Sequence, residues 1–569
     1  MESGQYLKFL RPYLFQVPPL RTAVYARFFS ASHRSESPDA PRKWKRKEEE
    51  ASPSRQINVD NRVQKLKDCR ALHYPRLGDR PFQISIPRFL QKFHYELVSS
   101  EVVTLEGRIM SVRRSSNKLV FFTIMGGNQQ VQIMVSYSKI PTPKMTPMEF
   151  AAIMRPFLRG DIISIMGTPT RTDAGELTLQ AIEPPILLTP GLAPLPTELV
   201  NQETMVLNRH IDLLVNRRTS DTIRLRSHVI RSMRAFFHKK EFLEVQTPIL
   251  ADHASGAAAR PFLTSATEFP AKELALRIAP ELWLKRLVIG GNDRVFEIGP
   301  SFRNESVDTT HNPEFTMCEF YCAYFNLDDL ISITVDLITH LFKYTEDLIQ
   351  NQLQSLKKPK ITLPKTNWKR VEFIPELERI LCIEFPDLSE PDALPKLIEL
   401  LDGGANINQG PDLTLAKLLD GLASEFLEPL SNEEPLFIIH HPACMAPLSK
   451  SFTCPETGQL VSARAELFIK GHEIANMYEE ENDPFEQRRK FELQLESRKG
   501  KPVVDDGSTP EVDESYIQAL EIGLPPTGGW GCGVDRLIML LSGAARIGDV
   551  LSFGNLRNVT SIRQAAKDP

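Results

Sequence analysis

No apolar run in the 569 residues approaches the roughly 18 that a membrane-spanning helix requires. The best candidate, LIMLLSGAAR at 537–546, is short and ends in charge, so membrane insertion is not expected. Cysteine is sparse as well. The seven (Cys69, Cys318, Cys322, Cys382, Cys444, Cys454, Cys532) are scattered, odd in number and without paired CxxC spacings, which excludes a disulfide framework and a zinc site of cysteine pairs. Excess positive charge is missing too: the net charge is −4. A chain held to nucleic acid by bulk charge would be basic, so any RNA contact must come from a local patch and specific pockets. Regular strand–helix alternation of the doubly wound kind is also absent, which favours an α+β class with an antiparallel sheet.

One further absence is local. Residues 3–35 hold Lys8, Arg11, Arg21, Arg27 and Arg34 with several serines and no Asp or Glu. That is the composition of a mitochondrial transit peptide, with Arg27-Phe28-Phe29-Ser30 resembling a processing site, and it implies delivery to the mitochondrial matrix. We assign 1–29 to the transit peptide and 30–95, which opens on the charge-dense stretch 36–55, to a disordered linker and N-terminal extension.

The length implies two or more domains. Short alternating segments between 96 and 190, broken by Asn, Gly, Pro and Ser, read as a small all-β unit of OB-fold type. On its exposed face Phe121 offers a stacking surface, with Arg113 and Gln132 as donors. A linker at 191–220 follows, then a mixed α+β domain over 221–569 with a helical insertion at about 345–435. The segment 222–242 carries an amphipathic helical stripe.

Four clusters carry chemistry. PSFRNESVDTTHNPEFTMCEFYCAY (300–324) packs Arg303, Glu305, His311, Glu314, Phe315, Glu319 and Tyr321 into an otherwise apolar segment. Strand alternation is expected to put Arg303 with Glu305 on one face, and Glu319 with Tyr321; an Arg fork suits phosphate, and a structural ion-pair lattice would use the same residues. AELFIKGHEIANMYEEEND (465–483) spaces Glu466, Glu473 and Glu480 seven apart, so carboxylates on two strands could share a hard cation with phosphate oxygens. An acidic surface face is the alternative. GWGCGVDRLIML (529–540) reads as a glycine-rich turn entering a helix that begins with Asp535 and Arg536. GAAARPF and IAPELWLKRL (256–262, 278–287) place Glu281 in apolar surroundings.

Taken together these clusters resemble the class II aminoacyl-tRNA synthetases, and within them the lysyl-tRNA synthetases. EFLEVQTPIL is similar to the first motif of that family, FRNE with HNPEFT to the second and GCGVDR to the third, over residues 95–553. GELTL, APELWLKRL, HNPEFTMCEFY and HEIANMYEEEND are similar to markers of the lysyl branch. The resemblance implies an OB-fold anticodon-binding barrel joined to a catalytic domain built on an antiparallel sheet flanked by helices. It implies ATP-dependent joining of lysine to tRNA(Lys), with Mg2+ as cofactor and a homodimer as the assembly. Arg303 and Arg536 would be catalytic, on the α- and γ-phosphates; Glu305, His311 and Phe315 would complete the ATP site. Gly256, Glu281, Glu319, Tyr321, Asn476, Tyr478 and Glu480 would bind lysine, with Glu480 and Tyr321 reading its ε-ammonium. Glu466 and Glu473 would hold the metal, and Arg113, Phe121, Gln132 and Glu176 the anticodon. An aspartyl- or asparaginyl-tRNA synthetase, or a non-catalytic RNA-binding paralogue, would share most motifs. Neither suits Glu480 and Tyr321 together with all five of Arg303, Glu305, Glu466, Glu473 and Arg536. The chain departs from the family pattern where FTIMGGNQQVQ lacks a charged residue before its paired glycines, and at Phe553-Gly554.

Overall fold

The structure, a computed structural model, describes residues 53–78, 81–95, 99–140, 145–252, 259–401, 413–496 and 512–565. The transit-peptide assignment and Gly256 lie outside the described residues.

The first body is a closed barrel. Strands β1 (Val103–Ser116), β2 (Leu119–Gly126), β3 (Gln129–Ser136), β4 (Ile162–Arg171) and β5 (Leu177–Ala181) run in the order β1-β2-β3-β5-β4, and β1 pairs again with β4 to close the ring. β6 (Ile186–Thr189) adds to β4. The period-2 alternation of the sequence is what closes it: Val120, Phe122 and Ile124 point inward with Val131, Ile133 and Val135, while Phe121, Thr123, Gln132 and Met134 face out.

Two assignments made from sequence need correction. The segment 30–95 is not a disordered extension throughout, because helices Pro53–Asp68 and Ile86–Lys92 close the barrel with Leu66, Ile86, Phe89 and Phe93 buried in its core. A buried Arg62–Asp161 ion pair at 2.9 Å fixes the first of them. The charge-dense stretch 36–55 ends as this helix begins, and the partner that buries Arg62 lies 99 residues away. Residues 191–220 are likewise folded rather than a free linker. Two short helices, Gln202–Leu207 and Arg209–Val215, sit there, and the buried Arg209 bonds Asp212 and the carbonyls of Asp549 and Leu551.

The second body is an eight-stranded sheet. Its order is β13 (Lys369–Glu372), β14 (Leu436–Ile439), β17 (Arg464–Ile469), β18 (His472–Glu479), β19 (Thr527–Gly533), β12 (Glu314–Ala323), β11 (Arg294–Phe302) and β7 (Leu243–Glu244). Pairing is antiparallel except for the parallel pairs at the two edges, β13 with β14 and β7 with β11. A three-stranded sheet of β8 (Leu250–Ala251), β10 (Phe269–Leu276) and β9 (Leu263–Ala266) and a β15–β16 hairpin (Ser451–Thr453, Leu460–Ser462) flank it.

The register sorts the side chains of this sheet into two populations. Phe296, Cys318, Phe320, Cys322, Trp530, Cys532, Ala475, Met477, Ala465 and Leu467 turn to one side. There they pack against helices Arg217–Lys239, Leu327–Asn351 and Val534–Ser542, whose apolar stripes supply Leu225, Val229, Met233, Phe237, Leu337, Ile338, Leu341, Leu537 and Ile538. Burial of this kind is worth about 25 cal/mol per Å² of apolar surface, so the sheet is stiffened from that side. The opposite side is left free for polar chemistry. The Leu327–Asn351 helix belongs to this core along its full length, so the inserted unit starts only after it, with its own apolar cluster around Phe373, Leu377, Leu397, Leu419 and Leu427. Barrel and sheet are tied at the β2–β3 turn, where Asn128 donates to Asp221 at 3.0 Å on the Arg217–Lys239 helix.

Candidate active site

The polar side of the sheet carries the site. Pairing sets Glu319 opposite Gly531 and Tyr321 opposite Gly529, then Gly531 opposite Asn476, Gly529 opposite Tyr478, and Asn476 opposite Glu466. Directly opposed residues share a face, so side chains from three strands, β12, β18 and β17, converge on one surface across the glycines of β19. Glu473 would by strict alternation point away from Asn476. A register shift between Leu467 and Phe468 absorbs Ile474 and pairs Glu473 with Phe468, which returns its carboxylate to the same face.

The segment GWGCG is strand β19 in the middle of this sheet, not the turn expected from its glycines. Its glycines are needed for space: a Cβ on Gly529 would strike Glu480 Oε1 and Tyr321 Cε1. Arg303 and Glu305 also differ from expectation. β11 ends at Phe302, so both lie in the following loop rather than on one strand face. Glu305 is exposed there. Arg303 lies 5.2 Å from the Phe315 ring centre, and its buried Nε has no hydrogen-bond partner among the described residues. Such a donor is set to receive an acceptor from outside.

Arg536, at the start of the Val534–Ser542 helix, donates to Glu473 at 3.3 Å and to His311 Nε2 at 2.6 Å, and His311 Nδ1 lies 2.8 Å from Asp308. Asp535 is not a site group: buried, it accepts from the Thr316 amide at 2.9 Å and pairs with Arg226, which locks this helix to β12. Glu466 accepts from His441 at 3.1 Å, from Asn476 at 3.0 Å and from Arg464. Burial opposes its ionisation, but Arg464 and His441 hold it down to about 2. Glu473 is pushed upward by loss of water and by Glu466, against the pull of Arg536. Two carboxylates on neighbouring strands, one held ionised and the other raised by its neighbour's charge, suit a hard divalent cation completed by ligand oxygens.

Beside this lies a buried polar cluster. Glu281, in the first turn of the Glu281–Ile289 helix, accepts from Tyr478 Oη at 2.6 Å and from Lys285 Nζ at 2.7 Å. Lys285 also pairs with Glu480, and both side chains have no solvent exposure. Tyr321 Oη donates to Glu319 at 3.2 Å. Burial would strip the Lys285 proton, but Glu281 and Glu480 hold it well above the usual lysine range. Burial, then Glu281, pushes Glu319 up to about 8. Glu480 is pushed well up by burial, with Lys285 pulling it back and Glu281 and Glu319 adding to the rise.

The structure thus brings Glu281, Glu319, Tyr321, Tyr478 and Glu480 into one pocket. Arg303, Phe315, His311, Arg536, Glu466, Glu473 and Asn476 form the adjoining surface. Sequence reasoning missed Lys285, His441, Arg464 and Tyr516, whose ring centre lies 6.0 Å from Lys285 Nζ. Lys285 sits four residues after Glu281 on a helix, a spacing that places both on one side and could have revealed it. On the barrel the four remaining candidates form two pairs: Arg113 lies 4.5 Å over the Phe121 ring, and Gln132 donates to Glu176 at 2.8 Å.

A family described as tRNA synthetases class II (D, K and N) matches residues 201–557, and one described as OB-fold nucleic acid binding domain matches 103–183. The chain is 40% identical over 494 residues to the mitochondrial lysine–tRNA ligase of Schizosaccharomyces pombe, covering 85% of this chain and 91% of the relative. It is 36% identical to the mitochondrial lysine–tRNA ligase of Saccharomyces cerevisiae (84% and 87% covered). It is 37% identical to the lysine–tRNA ligase of Carboxydothermus hydrogenoformans (88% and 98%).

Proposed function

The chain belongs to the lysine–tRNA ligases of the class II tRNA synthetase family, and from that membership we propose that it activates lysine with ATP and transfers it to tRNA(Lys) in the mitochondrial matrix. The observation that carries the lysine reading is the pocket itself. Glu281, Glu319 and Glu480 stand around it, and the only ammonium the described residues place there, Lys285, is already held between Glu281 and Glu480. An aspartate or asparagine side chain would find no unshared cation in it; a long side chain ending in an ammonium would find carboxylates.

In the first step the lysine carboxylate attacks the α-phosphorus of ATP, the bond to the bridging oxygen breaks, and pyrophosphate leaves. No general base is needed, because the nucleophile is already an anion; alignment and charge neutralisation are what the protein supplies. Arg303, whose Nε has no partner among the described residues, would hold the α-phosphate, and Arg536 the γ-phosphate beside His311. Phe315 and Glu305 would receive adenine. Glu466 and Glu473 would hold magnesium, whose charge, when bound, reduces repulsion between carboxylate and triphosphate. Glu281, Asn476 and the Gly256 backbone would take the α-amine, while Glu319, Tyr321, Tyr478 and Glu480 would line the side chain. In the second step a hydroxyl of the terminal tRNA ribose attacks the lysyl carbonyl and AMP leaves. Phe121, Arg113, Gln132 and Glu176 would read the anticodon.

Exposed Leu243, Ile249, Leu250, Leu263 and Phe269 cluster in and around β7–β10. They support a homodimer built on that region, since exposed apolar patches of this kind mark interfaces. No helix among the described residues is long and apolar enough to cross a membrane.

Purified protein should catalyse pyrophosphate exchange into ATP only with lysine, and charge tRNA(Lys). Exchange driven by aspartate or asparagine would overturn the reading.

A further inference from the structure

The chemistry proposed above uses Glu480 as the reader of an ammonium, yet Glu480 already has one. Its Oε2 is paired with Lys285, and neither side chain is reached by solvent. Both its oxygens are buried without a hydrogen-bond partner among the described residues; Oε2 is met only by the Lys285 charge, and Oε1 is the atom lying against Gly529. Leaving a carboxylate oxygen buried and unsatisfied costs free energy that a protein retains only where something else completes the site. The two oxygens of Glu480 therefore stand in different surroundings: one meets the Lys285 ammonium, the other lies against the Gly529 main chain.

Every element packed around Lys285 contributes to holding it. Its own helix supplies Glu281, whose carboxylate is fixed a second time by Tyr478 from β18. Ring centres of Tyr321, Tyr478 and Tyr516 lie 5.9, 5.7 and 6.0 Å from its Nζ. Glu319 on β12 bonds Tyr321, and Arg286 acts by its charge on Tyr516. An ammonium between two carboxylates and three aromatic rings has little freedom.

We propose that Lys285 is a positioning residue for amino-acid specificity: it clamps one oxygen of Glu480, so that the other is aimed past Gly529 at a single incoming ammonium. Lys285 touches neither the reacting carboxylate nor ATP; it acts through Glu480. It also supplies a positive charge that opposes proton retention by Glu480. Without it Glu480 holds its proton more tightly, and lysine must displace that proton.

The inference rests on the assignment of this pocket to lysine, and the test separates the two. In pyrophosphate exchange at pH about 7, Lys285→Met should raise the lysine KM by about tenfold or more, leaving kcat at saturating lysine within about threefold and the ATP KM unchanged. Its lysine KM should fall more steeply than that of the wild type as pH rises from about 6.5 to 8.5, because the retained protons then leave unaided. A purely structural role would lower Tm and kcat without steepening that profile. On the charge-matched Glu480→Gln background, which guards against a misfolded single variant, adding Lys285→Met should change the lysine KM by less than about threefold. An unchanged KM and pH profile in the single variant, or a further loss of about tenfold in the double, would overturn the proposal. Wild-type exchange that needs an amino acid other than lysine would instead overturn the pocket assignment.

Discussion

Glu319 offers a direct physical test of the pocket. It lies on β12 with 3% of its surface exposed, and burial together with Glu281 pushes its pKa from the ordinary 4.5 to about 8. The folded protein therefore keeps a proton that the unfolded chain releases. A pKa raised on folding contributes stability that is fully present below the unfolded value and is lost as pH rises through the folded one. Stability from this group should thus decline between pH 4.5 and about 8 and level off above. Each pH unit crossed between the unfolded and folded values removes about 1.4 kcal/mol, so the loss between pH about 5.5 and 8.5 is about 3 kcal/mol, or on the order of 4 °C in melting temperature for a catalytic domain of this size. Glu319→Gln keeps the shape and removes the proton equilibrium. Melting curves of the two proteins across that range, without ligand, should diverge: the wild type falls by this amount more than the variant. Lysine should remove the difference, because its ammonium stabilises the ionised carboxylate, and in the wild type the lysine KM should fall as pH approaches 8. Parallel melting slopes would refute the account, since Glu319 would then titrate alike in both states.

Arg303→Ala or Arg536→Ala should abolish lysyl-adenylate formation with the melting temperature nearly unchanged, as each removes a phosphate partner and neither lies in the core; normal exchange rates in both would remove the mechanism. Phe121→Ala and Gln132→Ala should weaken tRNA charging, at about 1–3 kcal/mol for lost base stacking, while sparing exchange measured without tRNA. Equal losses in both assays would make the barrel face structural. A fluorescent protein fused behind residues 1–50 should enter mitochondria, as imaging and fractionation would report, and cytosolic retention would refute the targeting argument.

The parts of the fold that could be read from sequence are those where burial imposes a period. Val120, Phe122 and Ile124 alternate with outward residues because a barrel strand has one wet face, and Leu225, Val229, Met233 and Phe237 recur at helical spacing because their helix has one dry side. Strand β19 escaped for the converse reason. Glycines carry no side chain to alternate, so GWGCG holds the signature of a turn, and only its two neighbouring strands make it a strand. The helix Pro53–Asp68 was hidden by its charges, since Arg62 becomes a core residue only through Asp161. Residue types did mark where chemistry would gather. They did not reveal that a one-residue register shift turns Glu473 toward Glu466, nor that an ordinary-looking Lys285 is buried beside the very carboxylate offered to a ligand. Both depend on pairings between distant segments, which local pattern does not encode.

Gly529 has a consequence for how this pocket can change. The room beside Glu480 is bounded there by main chain in the middle of an eight-stranded sheet, and the backbone cannot recede without unzipping β18, β19 and β12 together. Substitution at that wall can add atoms but cannot subtract any. A side chain added there meets Glu480 Oε1 and Tyr321 at once, so substitution displaces those groups themselves, whereas accommodating a bulkier amino acid demands that the sheet be rebuilt.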